Sequence, residues 1–155
     1  MAYTINDLLD SVRQSRRHFL KHIDGLREDQ WQWKPYPECK SSAETLAHLI
    51  VDDRAFLQTF QTGKEPDYEN LQVEERDPAA LLPMLAQSHE QLLSLLADKF
   101  RTTPPEQEIP FHNMTMKLAE AVGWVTLEDH YHAGQVAFIR MATDPGWNYY
   151  TVIYG

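Results

Sequence analysis

Apolar positions recur along most of the chain with the three- and four-residue spacing of an amphipathic helix. Four segments show this pattern, beginning near Thr4, at Ser41, at Asp77 and near Thr115, and the fourth runs to about Ala142. Each segment has one apolar side and one polar side, so each must bury its apolar side against another element. The pattern therefore predicts an all-α protein that folds as a four-helix bundle.

Local signals mark where three of these helices begin and where two of them end. Thr4 and Ser41 are each followed three positions later by an acidic residue, which is the arrangement of a capping box. Asp77-Pro78 combines an N-cap residue with proline at the first helical position. Gly25 and Gly63 follow the first two apolar stripes and are typical helix stops.

The connections between the predicted helices are long for a bundle. Residues 63–76 and 101–114 each exceed the usual helix–helix loop, and residues 108–111 favour an extended conformation. The aromatic tail, residues 147–154, is expected to dock on the bundle. Loops of this length permit topologies other than simple up-down-up-down.

Composition and charge exclude several classes of protein. The chain has 155 residues, 43% hydrophobic and 24% charged, so we expect one domain spanning residues 1–155. Its net charge of -9 provides no positive field for a nucleic-acid backbone. No apolar run approaches the roughly 20 residues that span a membrane, and the first residues lack the pattern of a signal peptide. With a single cysteine, Cys39, the sequence predicts a cytoplasmic protein.

The fourth segment carries a carboxylate and an imidazole one helical turn apart. With Glu128 taken as the reference direction, Trp124, His132, Gln135 and Ile139 fall within about 40° of it. This places Glu128 and His132 in the middle of the apolar stripe, where they are costly to bury without compensation. A divalent metal ion would compensate both groups. The opposite side of the helix carries Thr126, Asp129, His130, Ala133, Ala137 and Arg140.

A metal-free arrangement explains the same two residues equally well. Arg16 lies on the apolar side of the first segment, from where it could reach Glu128. A buried network of Arg16, Glu128 and His132 would satisfy all three groups. Spacing alone leaves both interpretations open.

The other histidines carry weaker signals. His48 has Asp52 one turn later and lies beside the apolar face of the second segment, either lining the bundle interior or at the surface. His18 and His22 point away from the apolar stripe of the first segment and are expected to be solvated. His89 lies on the stripe of the third segment and is expected to be a core or boundary histidine with one hydrogen bond.

Three stretches of sequence together resemble the DinB/YfiT-like superfamily. The first is Gly-Leu-Arg-Glu-Asp-Gln-Trp-Gln-Trp-Lys-Pro at residues 25–35, and the second is the serine-capped start of the next helix with His48. The third, Asp-His-Tyr-His-Ala-Gly-Gln-Val at residues 129–136, resembles the His-Asp-x-x-His-x-Gly-Gln motif of that superfamily. Each stretch is weak alone, but their order and spacing are fairly specific.

The resemblance implies a four-helix bundle of up-up-down-down arrangement, often a homodimer, with a divalent metal bound by three histidines. These positions correspond to His48, Glu128 and His132, so one family histidine is replaced by glutamate. Two histidines and a carboxylate still form a known ligand set for Zn²⁺ and Fe²⁺, and the carboxylate favours a harder ion such as Mn²⁺. Zn, Ni, Mn or Fe are all possible. The replacement is equally consistent with a member that has lost its metal.

Some members of the superfamily are thought to be metal-dependent transferases acting with small thiols, or hydrolases. The resemblance thus implies a small-molecule substrate. From its position on the helix Gln135 could orient a metal ligand, and Tyr131 could wall a pocket, although aromatic residues at helical spacing are more often part of the core. Asp52 could orient a ligand or accept a proton, although a solvated position is the simpler reading. The alternative function is a metal-free dimeric bundle that acts as a ligand-binding or scaffold protein.

The fourth segment also carries a strip of small residues. Ala133, Gly134 and Ala137 lie on the side away from Glu128, where another helix could approach closely, possibly across a dimer. Homodimer formation itself is expected from the resemblance.

Overall fold

The computed structural model describes residues 3–154, and these residues form a bundle of four long helices with two short helices and one small hairpin. The all-α bundle is thus confirmed. The helices are α1 (Ile5–Ile23), α2 (Glu28–Trp31), α3 (Ser42–Thr62), α4 (Pro78–Lys99), α5 (Leu118–Thr143) and α6 (Tyr149–Tyr154). The strands are β1 (Glu108–Phe111) and β2 (Met114–Lys117), and a 3₁₀ turn covers Tyr68–Leu71.

The predicted caps begin α1, α3 and α4. The side chains of Thr4 and Ser41 accept hydrogen bonds from the third backbone N–H of their helices, and that of Asp77 accepts from Ala79. Gly63 ends α3 with a φ of 72°, in the left-handed region that glycine adopts without strain. These boundaries are confirmed because they depend on neighbouring residues alone.

The start of α5 differs from the prediction. The expected helix from near Thr115 begins instead at Leu118, because β2 pairs antiparallel with β1. The extended conformation expected for residues 108–111 is confirmed. His112 and Asn113 form the turn with φ of 50° and 57°, and two consecutive positive φ values match the tight turns that join hairpin strands.

The helix directions also differ from the expected arrangement. Arg140 donates to the carbonyl of His22, which brings together the C-terminal ends of α5 and α1. Lys99 donates to the carbonyl of Phe60, which brings together the C-terminal ends of α4 and α3. One apolar cluster joins the start of α1 and the start of α5 to the ends of α3 and α4, and a second cluster joins the opposite ends. The order is therefore up-down-down-up rather than up-up-down-down.

The long connection after α3 makes this order possible. At about 3.3 Å per residue, residues 63–77 can return along the roughly 30 Å length of α3. As a result α4 starts where α3 starts and lies parallel to it. Neighbouring helices in a bundle are antiparallel when their loops are short, and this loop is long.

The aromatic tail packs on the bundle through α6, as expected. Ile153 is buried, and Lys21 donates to its carbonyl at 2.9 Å. The rings of Trp147 and Tyr149 lie against His22, which is 1% exposed. The expectation that His22 is solvated was wrong, because the tail covers a side of α1 that its own apolar stripe does not mark.

The small-residue strip of α5 contributes to the bundle itself. Ala133 and Ala137 are buried, and Ala133 belongs to the same apolar cluster as Phe19 of α1. The helix that approaches this strip is thus α1 of the same chain. None of the helices in residues 3–154 is long and apolar enough to cross a membrane.

Candidate metal centre

Four polar side chains from two helices meet between α3 and α5. His48 and Asp52 lie one turn apart on α3, and Glu128 and His132 lie one turn apart on α5. One ligand atom from each residue lies within 4.8 Å of the other three, and the two imidazole rings contact edge to face at 4.8 Å between centroids. The structure brings together the three predicted ligands and adds Asp52. We call these four residues the metal cluster because the group could hold a metal ion.

Two atoms of the metal cluster are buried without hydrogen bonds. His132 Nε2 lies 3.4 Å from Glu128 Oε2, and Asp52 Oδ2 lies 3.3 Å from His48 Nε2. Neither contact has the geometry of a hydrogen bond, so His132 Nε2 and Asp52 Oδ2 have no partner among residues 3–154. Leaving a buried polar atom unpaired is costly. A cation coordinated by these atoms would remove that cost, so the residues fit a bound metal.

Gln135 orients one of the two histidines. Nδ1 of His132 donates to the side-chain oxygen of Gln135 at 2.7 Å. This contact holds the ring so that Nε2 faces the metal cluster, and in the tautomer with its proton on Nδ1 the Nε2 atom has a free lone pair. Histidine ligands of metals are usually held in this way by an acceptor on the other nitrogen. The predicted position of Gln135 beside His132 matches this contact.

Burial and charge shift the pKa values within the cluster. Burial, with the nearby Glu128 carboxylate, raises the pKa of Asp52 to about 7. Burial also lowers the pKa of His48 to about 4, with contributions from Lys40 and His132. At neutral pH His48 is therefore an uncharged imidazole, and the carboxylates give the cluster negative charge that favours a cation.

Arg16 binds a different pair of carboxylates. Its Nε donates to Asp129 at 2.8 Å, and its two terminal nitrogens donate to Asp53 at 3.0 and 2.8 Å. Ser15 donates to the other oxygen of Asp129, and Ser88 donates to Asp53 Oδ2, which also accepts from Arg16, both at 2.8 Å. We call these five residues the Arg16 network. The expectation of a buried network of Arg16, Glu128 and His132 was therefore wrong.

The orientation of α5 explains this error. Asp129, assigned to the outward side by sequence, is fully buried, whereas Trp124 and Tyr131 are 49% and 62% exposed. A different stripe faces the core: Leu118, Val122, Val125, Asp129, His132, Val136 and Ile139. That stripe has regular three- and four-residue spacing and could have been found from sequence. The direction of Glu128 predicts instead a stripe that includes Trp124, which the structure places at the surface.

Two cavities of different character reach the metal cluster. An apolar cavity of about 390 Å³ is walled by aromatic and methionine side chains, with Asp52 and Glu128 at its edge. A polar cavity of about 620 Å³ is bordered by Lys34, Lys40 and Arg76 and also touches His48 and Asp52. The cluster is thus accessible from two sides, and Asp52 borders both cavities. The apolar walls are Phe56, Tyr68, Phe111, Met114, Met116 and Trp124.

Sequence reasoning missed the contribution of the hairpin to the apolar cavity. His112 lies at the hairpin turn, contacts Glu65 at 3.1 Å and lines this cavity. No role was assigned to it because residues 101–114 were expected to be a loop. The positive φ at His112 and Asn113 follows from turn-forming residues between two short extended stretches, which is a readable signal.

Tyr131 and Cys39 lie outside the cluster itself. The Tyr131 ring contacts the His132 ring at 5.1 Å between centroids, and Tyr131 lines a third surface depression together with Cys39, Lys40 and Gln135. Cys39 is partly buried and also borders the polar cavity. Neither side chain lies among the four candidate ligands.

Comparison with known proteins agrees with this architecture. No curated protein matches the chain. The family model described as the DinB superfamily matches residues 11–136. This range includes every residue of the metal cluster and of the Arg16 network. Because this match covers most of the chain, the protein belongs to the DinB superfamily.

Proposed function

We propose that this protein binds one divalent metal ion through His48, Asp52, Glu128 and His132 and uses it in a transferase or hydrolase reaction. The observation that carries the proposal is the pair of buried, unpaired ligand atoms, His132 Nε2 and Asp52 Oδ2, in a group rich in carboxylates. Such a group is expensive to bury unless a cation completes it.

The donor set narrows the metal without identifying it. Two imidazoles and two carboxylates suit Zn²⁺, Fe²⁺, Mn²⁺ and Ni²⁺. Two carboxylates favour a harder ion than an all-histidine site would. We therefore expect Mn²⁺ or Fe²⁺ to compete better here than at a three-histidine site.

The cavities support a reaction between a small polar nucleophile and a more apolar substrate. A bound divalent ion would lower the pKa of a small thiol or water and so supply a nucleophile at neutral pH. Lys40 and Arg76 border the polar cavity and would bind the anionic part of a thiol, whereas Lys34 in the same cavity is paired with Glu44 at 2.7 Å. The aromatic and methionine walls of the apolar cavity would bind the substrate and exclude water.

The metal-free scaffold function receives less support. It requires that protein groups satisfy Glu128 and its neighbours, and the arginine that could do so is bonded to Asp53 and Asp129. Lys40 lies close enough to influence the pKa of Asp52 and His48, but it makes no ion pair with the cluster among residues 3–154.

Metal content tests the proposal directly. The protein is purified without an affinity tag or chelator, and its metals are measured by mass spectrometry for wild type, His132→Ala and His130→Ala. His130 is a matched control because it lies on the same helix but is exposed. We expect near-stoichiometric metal in wild type and His130→Ala and loss of metal in His132→Ala, which should remain folded by circular dichroism. Wild type that holds no metal after incubation with Zn²⁺, Mn²⁺, Fe²⁺ and Ni²⁺ would overturn the proposal.

We further propose that the protein forms a homodimer through the outer face of α5. Exposed apolar side chains follow one another along this face, and large exposed apolar patches are typical of protein contacts. They are Trp124, Leu127, Tyr131, Phe138 and Met141. Light scattering of wild type should give twice the monomer mass, and Phe138→Asp should give the monomer mass. Tyr150→Asp is the control, since Tyr150 is exposed outside this face; a monomeric wild type would contradict the proposal.

A further inference from the structure

We propose that Arg16 is a positioning residue for the metal cluster, one that holds α3 and α5 at the separation that the four ligands require. The inference rests on the proposed metal site and adds a role for a residue that touches none of its ligand atoms. It follows from the way acidic residues are arranged on the two helices.

Both helices carry two acidic residues in succession. They are Asp52-Asp53 on α3 and Glu128-Asp129 on α5. Consecutive residues on a helix point about 100° apart. In each pair the first carboxylate faces the metal cluster, and the second faces Arg16. Each candidate ligand is thus covalently adjacent to a residue that Arg16 holds.

The metal cluster consists of two halves on separately packed helix pairs. The half with His48 and Asp52 lies on α3, which packs mainly on α4; the half with Glu128 and His132 lies on α5, which packs mainly on α1. Packing between α3 and α5 themselves is slighter. Apolar contacts alone therefore fix each half well and the distance between the halves less well.

Arg16 bridges these two helix pairs. From α1 it donates one hydrogen bond to Asp129 of α5 and two to Asp53 of α3. The guanidinium is planar, so its three bonds fix the positions of both carboxylates together. Arg16 is 5% exposed and both acids are about 1% exposed or less, so water does not compete for these bonds. The expected consequence is a fixed distance between the two halves of the cluster.

The test replaces Arg16 by lysine, which keeps the positive charge but cannot form the planar fork. Binding of Co²⁺ to full-length protein is followed by its visible absorption, and affinity is measured by competition with a chelator. We expect the affinity of Arg16→Lys to fall about 10- to 100-fold, the range seen when groups that orient metal ligands are removed. Arg13→Lys is the control, because Arg13 lies on the same helix and pairs only with Asp10 at the surface.

A second variant separates positioning from stability. In Arg16→Met/Asp53→Leu/Asp129→Leu no charge is left unpaired, Ser15 and Ser88 keep their bonds to backbone carbonyls, and apolar replacements of buried ion networks often retain or increase stability. If Arg16 positions the ligands, this variant stays folded by circular dichroism and still loses Co²⁺ affinity. It also decides the question if Arg16→Lys does not fold.

The outcomes distinguish the two proposals. If wild type binds no Co²⁺, the proposed metal function fails. If wild type binds Co²⁺ and the folded Arg16 variants bind it with equal affinity and an identical spectrum, only the positioning role is overturned. Weaker binding in the folded variants, with an unchanged Arg13→Lys, supports the positioning role.

Discussion

The carboxylates of the Arg16 network and those of the metal cluster are consecutive residues on α3 and α5, yet their charges are balanced differently. Each takes one carboxylate from α3 and one from α5. In the Arg16 network a guanidinium and two serine hydroxyls satisfy these acids. In the metal cluster the additional groups are two histidines, and ligand atoms remain buried and unpaired. One pair of acids is therefore fully hydrogen-bonded by the protein, whereas the other pair lies among ligand atoms that have no partner.

The difference indicates which pair of carboxylates has its charge balanced by the protein's own side chains. A buried carboxylate pair with its own cation has its hydrogen bonds filled, so it is not suited to bind a further cation from solution. Asp52 and Glu128 lie beside two imidazoles and have no lysine or arginine partner among residues 3–154, so they are suited to bind a cation from solution. Neighbouring acids on one helix should therefore respond in opposite ways to the same substitution.

The largest expected effect is on stability in the Arg16 network. Asp53→Asn leaves Arg16 with one of its two carboxylates, and removing one partner of a buried ion pair costs about 3–5 kcal/mol. The free energy of unfolding, measured by urea denaturation of the metal-free protein, should fall by roughly this amount. Asp10→Asn is the control, since Asp10 and Arg13 form an exposed pair worth about 1 kcal/mol or less.

At the adjacent residue, Asp52, the same change to asparagine should raise the free energy of unfolding instead of lowering it. The pKa of Asp52 is about 7 in the folded protein and near the usual 3.8 in the unfolded chain. Between these values the folded form binds more protons, so ionisation of Asp52 lowers stability as pH rises from about 4 to 7. Asp52→Asn removes this penalty and should stabilise the metal-free protein at pH 8 by a few kcal/mol at most, since one pKa unit is about 1.4 kcal/mol.

The ionisation of His48 also affects how the free energy of unfolding of the wild type depends on pH. Above pH 6.5 the His48 side chain is mostly uncharged in the folded and the unfolded protein, so it does not affect the comparison with Asp52→Asn. Its pKa of about 4 lies below the usual 6.5, so the unfolded chain binds more protons between these values. Its contribution to stability therefore rises with pH over that window and opposes that of Asp52. Urea denaturation in the presence of a chelator, from pH 4 to 8, measures the contributions of Asp52 and His48.

Equal losses of stability in Asp52→Asn and Asp53→Asn would contradict the distinction between the metal cluster and the Arg16 network.

Local features of this molecule could be predicted, and long-range pairings could not. The caps at Thr4 and Ser41 depend on residues three positions away, and the pairing of Glu128 with His132 depends on one helical turn. The partner of Arg16 depends instead on which face of α5 meets α1, and the wrong face was chosen. The direction of α4 depends on how a long loop returns along the bundle, which no local pattern encodes.

Asp52 shows how the two kinds of information combine. A carboxylate one turn after His48 is as common on solvated helix surfaces as in sites, so sequence favoured a solvated side chain. Only the approach of α5 buries Asp52 and brings it to Glu128 and His132. The composition of the candidate site was therefore partly predictable, and its fourth member required the packing of α3 against α5.

Metal binding should stabilise the wild type by an amount that depends on free metal concentration. A ligand that binds only the folded form adds about 2.7 kcal/mol when its concentration is 100 times its Kd. We expect the thermal midpoint to rise with added Mn²⁺ or Zn²⁺ in wild type and in Asp10→Asn. In His132→Ala and Asp52→Asn the rise should be much smaller at the same metal concentration. A similar rise in His132→Ala would locate the metal elsewhere on the protein.

The smallest of these effects concerns the hydrogen bond between Gln135 and His132. Gln135→Ala removes the acceptor for Nδ1, so the imidazole loses the contact that directs Nε2 into the metal cluster. Metal affinity should fall about tenfold, equivalent to about 1.4 kcal/mol, and urea denaturation of the metal-free protein should change little. Gln135→Glu still accepts from Nδ1 and should retain most of the affinity. An equal loss in both variants would overturn this role, because glutamate keeps both the size of glutamine and an acceptor for Nδ1.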